Sequence, residues 1–305
     1  MKWFVFIFTS SLMAFTCFSN PKLSMSELLA QSKPTDWRPI DPANTLYLEL
    51  TTGRVVIELA PNFAPNHVMN VKKLAQEKYW DGLAIVRSQD NYVVQWADPQ
   101  SADPSKKKTI KTGKTTLDAE FETEWSAQKS FVKLKDGDVY APEVGFVDGF
   151  PAARDLKNKK GWLLHCYGAV GAGRDTAANS GGGTELYAVI GHAPRHLDRN
   201  VTLIGRVISG IELLSSLPRG KAPMGFYDTP EANVLITSIR LASERPETER
   251  ITFEALKTDS KIFQDIIESR RHRPEDWFKY RADKIEICNV PLPVRTVEPK
   301  PVSRK

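Results

Sequence analysis

Three cysteines in 305 residues, with no CxxC pair and no His/Cys cluster, give no motif that suggests a metal centre. No HExxH helix motif and no GxSxG elbow occurs, so the common metalloprotease and serine-hydrolase arrangements lack their starting residues. Gly113-Lys114-Thr115 looks like the end of a phosphate-binding loop, but the glycine required five positions earlier is Lys108. One-sided charge is missing too. Lys and Arg number 42 against 37 Asp and Glu, and the net +5 is scattered, which favours solubility more than a nucleic-acid surface. The short run Lys106-Lys107-Lys108 reads as a solvated loop. Beyond the first twenty residues no apolar run is long enough to cross a bilayer.

Those first twenty residues do not read as fold. Lys2 precedes an apolar stretch from Trp3 to Phe8, which resumes after Thr9-Ser10-Ser11 and runs to Phe18. A positive start and a hydrophobic region too short for a comfortable span predict a signal peptide over 1–19. An uncleaved N-terminal anchor is the alternative. The expectation is an exported, soluble, periplasmic monomer with no membrane contact beyond such an anchor. Cys17 would leave with the signal. Cys166 and Cys288 then remain, either as a pair tying the C-terminal tail to the core or as two buried thiols.

At this length the chain holds one large or two small domains. Residues 20–44 are polar, with Pro21, Pro34, Pro39 and Pro42, and read as a linker. From Thr45 two alternating runs flank Thr52-Gly53, the pattern of a hairpin with Leu46, Leu48, Leu50, Val55, Ile57 and Leu59 on its apolar face. Pro65 then opens an amphipathic helix over 65–77, carrying Val68, Val71, Leu74 and Ala75. Residues 100–160 are the least legible, with one possible strand near Val139. The glycines at 171, 173 and 181–183 precede a strand (Thr184 to Ile190) rather than a helix, so they shape a loop and not a nucleotide cradle. A second helix is expected near 210–217 and a closing strand at 234–242. After Pro246, Ile262, Phe263, Ile266 and Ile267 share one helical face that Ser260 or Asp259 can cap and Pro274 stops. Trp277, Phe278 and Tyr280 either anchor this tail on the core or face a partner.

The most informative stretch is YWDGLAIVRSQDNYVVQWADP, from Tyr79 to Pro99. It reads as a turn at Trp80-Asp81-Gly82, a strand ending at Arg87, a polar turn from Ser88 to Asn91, and a strand from Tyr92 to Trp96. Alternation places Val93 and Gln95 on one face, with Tyr92, Val94 and Trp96 on the other. Arg87 and Gln95 therefore meet across a hairpin, where together they could hold a neutral amide. The plainer reading makes Arg87 a strand-end surface cation and Gln95 a solvated amide.

This stretch resembles the hallmark of the cyclophilins, peptidyl-prolyl cis–trans isomerases. In that family a Tyr-Asp-Gly turn leads to Phe-His-Arg, then Phe-Met-Ile-Gln and Gly-Gly-Asp. The matching residues here are Tyr79, Asp81 and Gly82 around an inserted Trp80, then Ile85-Val86-Arg87, Tyr92-Val93-Val94-Gln95 and Trp96-Ala97-Asp98. The Arg and Gln are kept; the Phe, the His and both Gly are not. GWLLHCY (161–167) resembles the family's Gly-x-Leu-Ser-Met-Ala-Asn segment, Thr184-Glu185-Leu186-Tyr187 its Ser-Gln-Phe-Phe, and Leu197, Asp198, Gly205, Val207 and Gly210 its Leu-Asp-Gly…Phe-Gly-x-Val-x-x-Gly block. Asp118-Ala119-Glu120-Phe121 resembles its acidic-aromatic segment.

The resemblance spans 45–243, with an insertion near 100–160 and a C-terminal extension over 244–305. It implies a mainly β fold: a closed eight-stranded antiparallel barrel with two capping helices, followed by a helical or extended tail. It implies a peptidyl-prolyl isomerase that needs no cofactor and acts on proline-containing polypeptides of exported proteins during folding. Arg87 would be the donor at the prolyl nitrogen, with Gln95 positioning it. Tyr92, Val93, Tyr187 and Leu197 would line the proline socket, and Tyr167 and Glu185 would meet the peptide backbone. His196 stands where the family has Trp, and Val201 where it often has His. Glu185 in place of Gln puts a carboxylate within possible reach of Arg87, or leaves an exposed strand charge. The altered socket keeps a second reading open, a catalytically weak or inactive peptide-binding module on the same scaffold.

Overall fold

The structure, a computed structural model, describes residues 23–125 and 130–297. The signal peptide expected over 1–19 lies outside the described residues.

Eight antiparallel strands close into a barrel. Around it they run Ala169–Ala172, Leu186–Val189, Val93–Ala97, Ala84–Ser88, Val234–Leu241, Thr45–Leu50, Gly53–Leu59 and Leu203–Ser209, which pairs back to the first. Alternation along each strand sends one set of side chains inward. Leu46, Leu48, Val55, Ile57, Ile85, Val94, Trp96, Val170, Leu186, Ala188, Ile204, Ile236 and Ile239 fill the interior, every one of them essentially buried. Helix Pro65–Gln76 closes one end with Val68, Val71, Leu74 and Ala75. Its first turn is met by a distant anion, since Glu120 accepts from the backbone N–H groups of Asn66 (3.0 Å) and His67 (2.9 Å). That gives the acidic-aromatic segment a structural task. The second helix, Ile211–Ser215, contributes Leu214.

The segments outside the barrel are not loose additions. A five-stranded sheet is built from the insertion, in the order Thr123–Glu124, Lys160–Leu163, Phe150–Asp155, Glu143–Val147, Val132–Lys133. A three-stranded sheet joins Trp37–Pro39, Thr252–Leu256 and Val294–Val297. Helices Met25–Ala30 and Lys261–His272 pack together beside them. A second core unites these pieces: Leu28 and Trp37 from before the barrel, Val144, Phe146, Trp162 and Leu164 from the insertion, and Phe263, Ile266, Ile267 and Ile287 from after it. The Arg271–Asp136 ion pair (2.6 Å, side chains 4 % and 6 % exposed) and the Cys166–Cys288 disulfide tie the last of these pieces to the middle of the chain.

Three expectations change here. Residues 24–44 are no linker, because Ser24 caps a helix through a capping box with Glu27, and Trp37–Pro39 pairs with residues 254–256. The apolar partners of Leu28 and Trp37 lie more than ninety positions away, and those in the C-terminal helix more than two hundred, so the segment's local polarity misleads. Val139 is 92 % exposed and the nearest strand begins at Glu143. Trp277 and Tyr280, 80 % and 87 % exposed, do not anchor the tail. By contrast, the amphipathic helix is present, and the Ser260 side chain accepts from the Phe263 N–H at 3.2 Å. Ser260→Ala is expected to lower stability by about 1 kcal/mol, the usual worth of an N-cap, read from chemical denaturation midpoints.

Candidate functional site

The strand Ala84–Ser88 bulges between Ile85 and Arg87, and past the bulge Arg87 lies in register with Gln95 on its neighbour. The same strand end is covered by the 220–227 turn, through Gly220 N–H to Ser88 O (2.9 Å), Ser88 N–H to Gly225 O (2.8 Å) and Tyr227 N–H to Val86 O (3.0 Å). Arg87 is thus held half-buried between two elements. Its Nε donates to Met224 O (2.6 Å), one terminal nitrogen to Gln95 Oε1 (3.1 Å) and the other to Gln89 Oε1. Its guanidinium carbon lies 5.7 Å from the Tyr92 ring centroid and 5.3 Å from that of Phe226. Three of five N–H groups are so engaged, which leaves two for another acceptor. Burial draws the arginine pKa down, which sharpens those donors while leaving the group charged.

Gln95 is the next link. Its amide nitrogen donates to Glu185 Oε2 at 2.9 Å, so Gln95 stands between Arg87 and Glu185. The carboxylate therefore does not occupy the guanidinium, and it fixes which way the Gln95 amide faces. Burial raises the Glu185 pKa; the Gln95 hydrogen bond opposes this and the Asp175 charge adds to it. The folded protein holds that proton more tightly than the unfolded chain. Stability is therefore full below the ordinary carboxylate value and lost as pH rises through the raised one. Glu185→Gln is expected to remove this step from a stability-versus-pH curve, measured by denaturation between pH 4 and about 7.

Beside the guanidinium is an apolar cluster on the outer barrel face. Val93, Tyr187, Val189 and Leu203 are buried there against Trp125, Val147, Phe150 and Leu163, with Tyr92 and Val201 half-buried at its margin. Val93 and Gln95 point outward, as alternation requires, while Val94 and Trp96 point inward. Tyr92 does not follow them. It precedes the strand, which starts at Val93, and its ring turns to the outer side with Val93. The Tyr92 ring lies parallel to His196 at a centroid distance of 6.5 Å. Leu197 is half-buried on the same 3-10 turn as His196.

Tyr187 forms the base of the patch and is fixed from behind. Its hydroxyl lies 2.8 Å from His165 Nε2, and His165 Nδ1 lies 2.9 Å from Asp198 Oδ1. Asp198 also accepts from Arg195, which is bidentate to Asp138 at 2.9 and 3.0 Å. Full burial pushes the Tyr187 hydroxyl pKa well above its usual value, so it stays protonated. Hollows flank the patch at both ends, one of about 630 Å³ beyond His196 and one of about 400 Å³ beside Glu185.

Residues 45–241 match the family model described as cyclophilin type peptidyl-prolyl cis-trans isomerase/CLD. The chain belongs to the cyclophilin family. It is 26 % identical over 198 residues to a probable peptidyl-prolyl cis-trans isomerase of Brucella suis, across 65 % of this chain and 83 % of that one. A peptidyl-prolyl cis-trans isomerase-like 2 of Gibberella zeae is 40 % identical over 55 residues, 18 % of this chain and 10 % of that protein. In fold it is similar to cyclophilin AquaCyp293 from Hirschia baltica, with a TM-score of 0.69 at 24 % identity, covering 90 % of this chain and 97 % of the other. Coverage of that extent reaches beyond 45–241 and takes in the outer sheets and helices. The protein is a peptidyl-prolyl cis-trans isomerase.

Against the cyclophilin expectations, the structure brings Arg87, Gln95, Glu185, Tyr92, Val93 and Tyr187 together and leaves Tyr167 apart. Tyr167 is 49 % exposed and lines a separate hollow with Phe150, Pro151, Cys166 and Leu292. The reason is register. Residues 160–163 belong to the outer sheet, and the barrel strand that pairs with 186–188 is Ala169–Ala172. The residue facing the Gln95–Glu185 pair is Gly173, whose N–H donates to Glu185 O at 2.9 Å. A Cβ there would stand 3.4 Å from Gln95 Nε2. Gly171 also leaves the loop role assigned to it. It is a strand residue against Tyr187, and a Cβ would fall 2.3 Å from the hydroxyl. Met224 and His165 carried no sequence signal, since each acts through partners that only the closed barrel brings near; Gln89, two positions from Arg87, was hidden in a polar turn.

Proposed function

We propose that this isomerase turns X–Pro bonds in proline-containing segments of exported proteins, in the periplasm, assisting their folding as a monomer. The observation that carries the reading is a half-buried guanidinium with two N–H groups to spare beside an apolar outer patch. Rotation about the X–Pro amide faces about 18–20 kcal/mol because resonance gives the C–N bond double-bond character. A proline ring seated on Val93, Tyr92 and Tyr187, with Leu197 at the margin, brings the prolyl nitrogen toward Arg87. As the bond twists, the nitrogen lone pair leaves resonance and becomes an acceptor. A charged donor there stabilises the twisted state and not the planar one, which is the condition for lowering the barrier. Gln95 holds the guanidinium in place and Glu185 holds Gln95.

The compartment is supported by two features. The first nineteen residues have the charge and apolar pattern of a leader, and Cys166–Cys288 is bonded, as suits an oxidising space. The test is a protease-coupled assay on Xaa-Pro peptides with protein recovered from fractionated cells. Turnover, together with a periplasmic pool in which the disulfide is intact, supports the proposal. Binding without turnover would leave a peptide-holding module, and a reduced cytoplasmic pool would remove the exported role.

A further inference from the structure

The hollow beyond His196 is walled by residues 119–122, by Tyr140 and Trp162, and by the 195–200 turn between two barrel strands. Its volume is about 630 Å³, within the range of ligand pockets. Ala119, Phe121 and Glu122 form one side, Arg195 to Asn200 another, and Tyr140 and Trp162, both from the insertion, the third. The turn 195–200 thus has two faces. One carries His196 toward Tyr92 and, through Asp198 and His165, supports Tyr187. The other faces this cavity.

We propose that the cavity is a substrate subsite, taking an aromatic side chain from the same polypeptide whose proline occupies the patch at Tyr92 and Tyr187. The inference rests on the isomerase reading above and extends it to sequence selection. Charge argues for a neutral guest. Arg195 is committed to Asp198 and Asp138, and Arg199 to Glu122 at 2.8 Å, so an entering carboxylate or ammonium finds its counter-ions already paired. Ring surface argues for an aromatic one. Tyr140 is 56 % exposed, and the guanidinium carbons of Arg195 and Arg199 already lie over the Tyr140 and Trp162 rings at 5.2 and 4.8 Å. A flat side chain entering there meets Tyr140 and Phe121 together, with cations at hand for its π face. Since His196 is the shared wall, the guest residue lies on one side of the proline only.

The test uses the full-length mature protein and two peptide sets. One is a short Ala-Xaa-Pro-Ala tetrapeptide. The other is a series of decapeptides with one central proline and a single Phe moved through each position on both sides. KM and kcat come from exchange kinetics, and Kd from an optical titration. The expected result is a 5- to 20-fold lower KM and Kd for Phe at one or two positions on a single side, with kcat unchanged. That gain is lost in Tyr140→Ala, while the tetrapeptide is turned over equally by both proteins. A flat response to Phe position, or a gain that survives in Tyr140→Ala, overturns the subsite. Should the wild type bind without turning over either peptide, the isomerase reading fails and the Kd series alone still decides the subsite. A second variant, Tyr140→Phe, keeps the ring and is expected to keep the gain, which separates lost ring surface from a disturbed insertion.

Discussion

Arg87→Ala is expected to lower kcat/KM for Xaa-Pro peptide isomerisation by about 100-fold or more, the usual cost of removing a charged donor aimed at a reacting atom. The figure corresponds to about 2.7 kcal/mol of lost transition-state stabilisation. The fall should appear in kcat, because the patch at Val93, Tyr92 and Tyr187 stays intact and continues to seat the ring. Arg87→Lys is expected to recover little. A lysine ammonium reaches as a point charge and cannot hold Met224 O, Gln89 and Gln95 at once, as the planar fork does. Protease-coupled kinetics on the three proteins at matched concentration check this.

Replacing both Cys166 and Cys288 by serine is expected to cost about 2–5 kcal/mol. The two residues are 122 positions apart, so their bond removes much chain freedom from the unfolded state. It also joins the tail to the segment next to His165, so the loss concentrates in the outer unit. Differential scanning calorimetry should show either a fall in midpoint of about 5–15 °C or an early transition of the outer unit ahead of the barrel. An unchanged trace would mean that the second core, with Phe263, Ile266 and Trp162, holds the tail without help.

The barrel was legible because its information is local. Leu46 to Leu59 alternates around a Thr-Gly turn, Pro65 opens a helix, and Arg87 and Gln95 face each other across a short hairpin. Of the outer unit only the C-terminal helix was legible, through the shared face of Phe263, Ile266 and Ile267, because the rest of its core is assembled from segments far apart in sequence. Leu28, Phe146 and Phe263 become neighbours only in space. The site failed at one place for a related reason. GWLLHCY resembles a family segment that presents a groove residue, yet Trp162 and Leu164 serve the second core and the barrel strand begins at Ala169. Tyr167 was displaced from the groove by that slip, and Gly173 went unnoticed because a glycine offers no side chain to read.

What distinguishes a rotation catalyst from a proline binder is whether the guanidinium acts on the twisted bond or only on the bound peptide. Two-dimensional exchange NMR on a saturating Xaa-Pro peptide measures that directly, since it follows cis–trans interconversion on the protein alongside affinity. The account predicts fast exchange with wild type, exchange near the free-peptide rate with Arg87→Ala, and affinities within about threefold of each other. Exchange that persists in Arg87→Ala, or affinity that collapses along with it, would contradict the account.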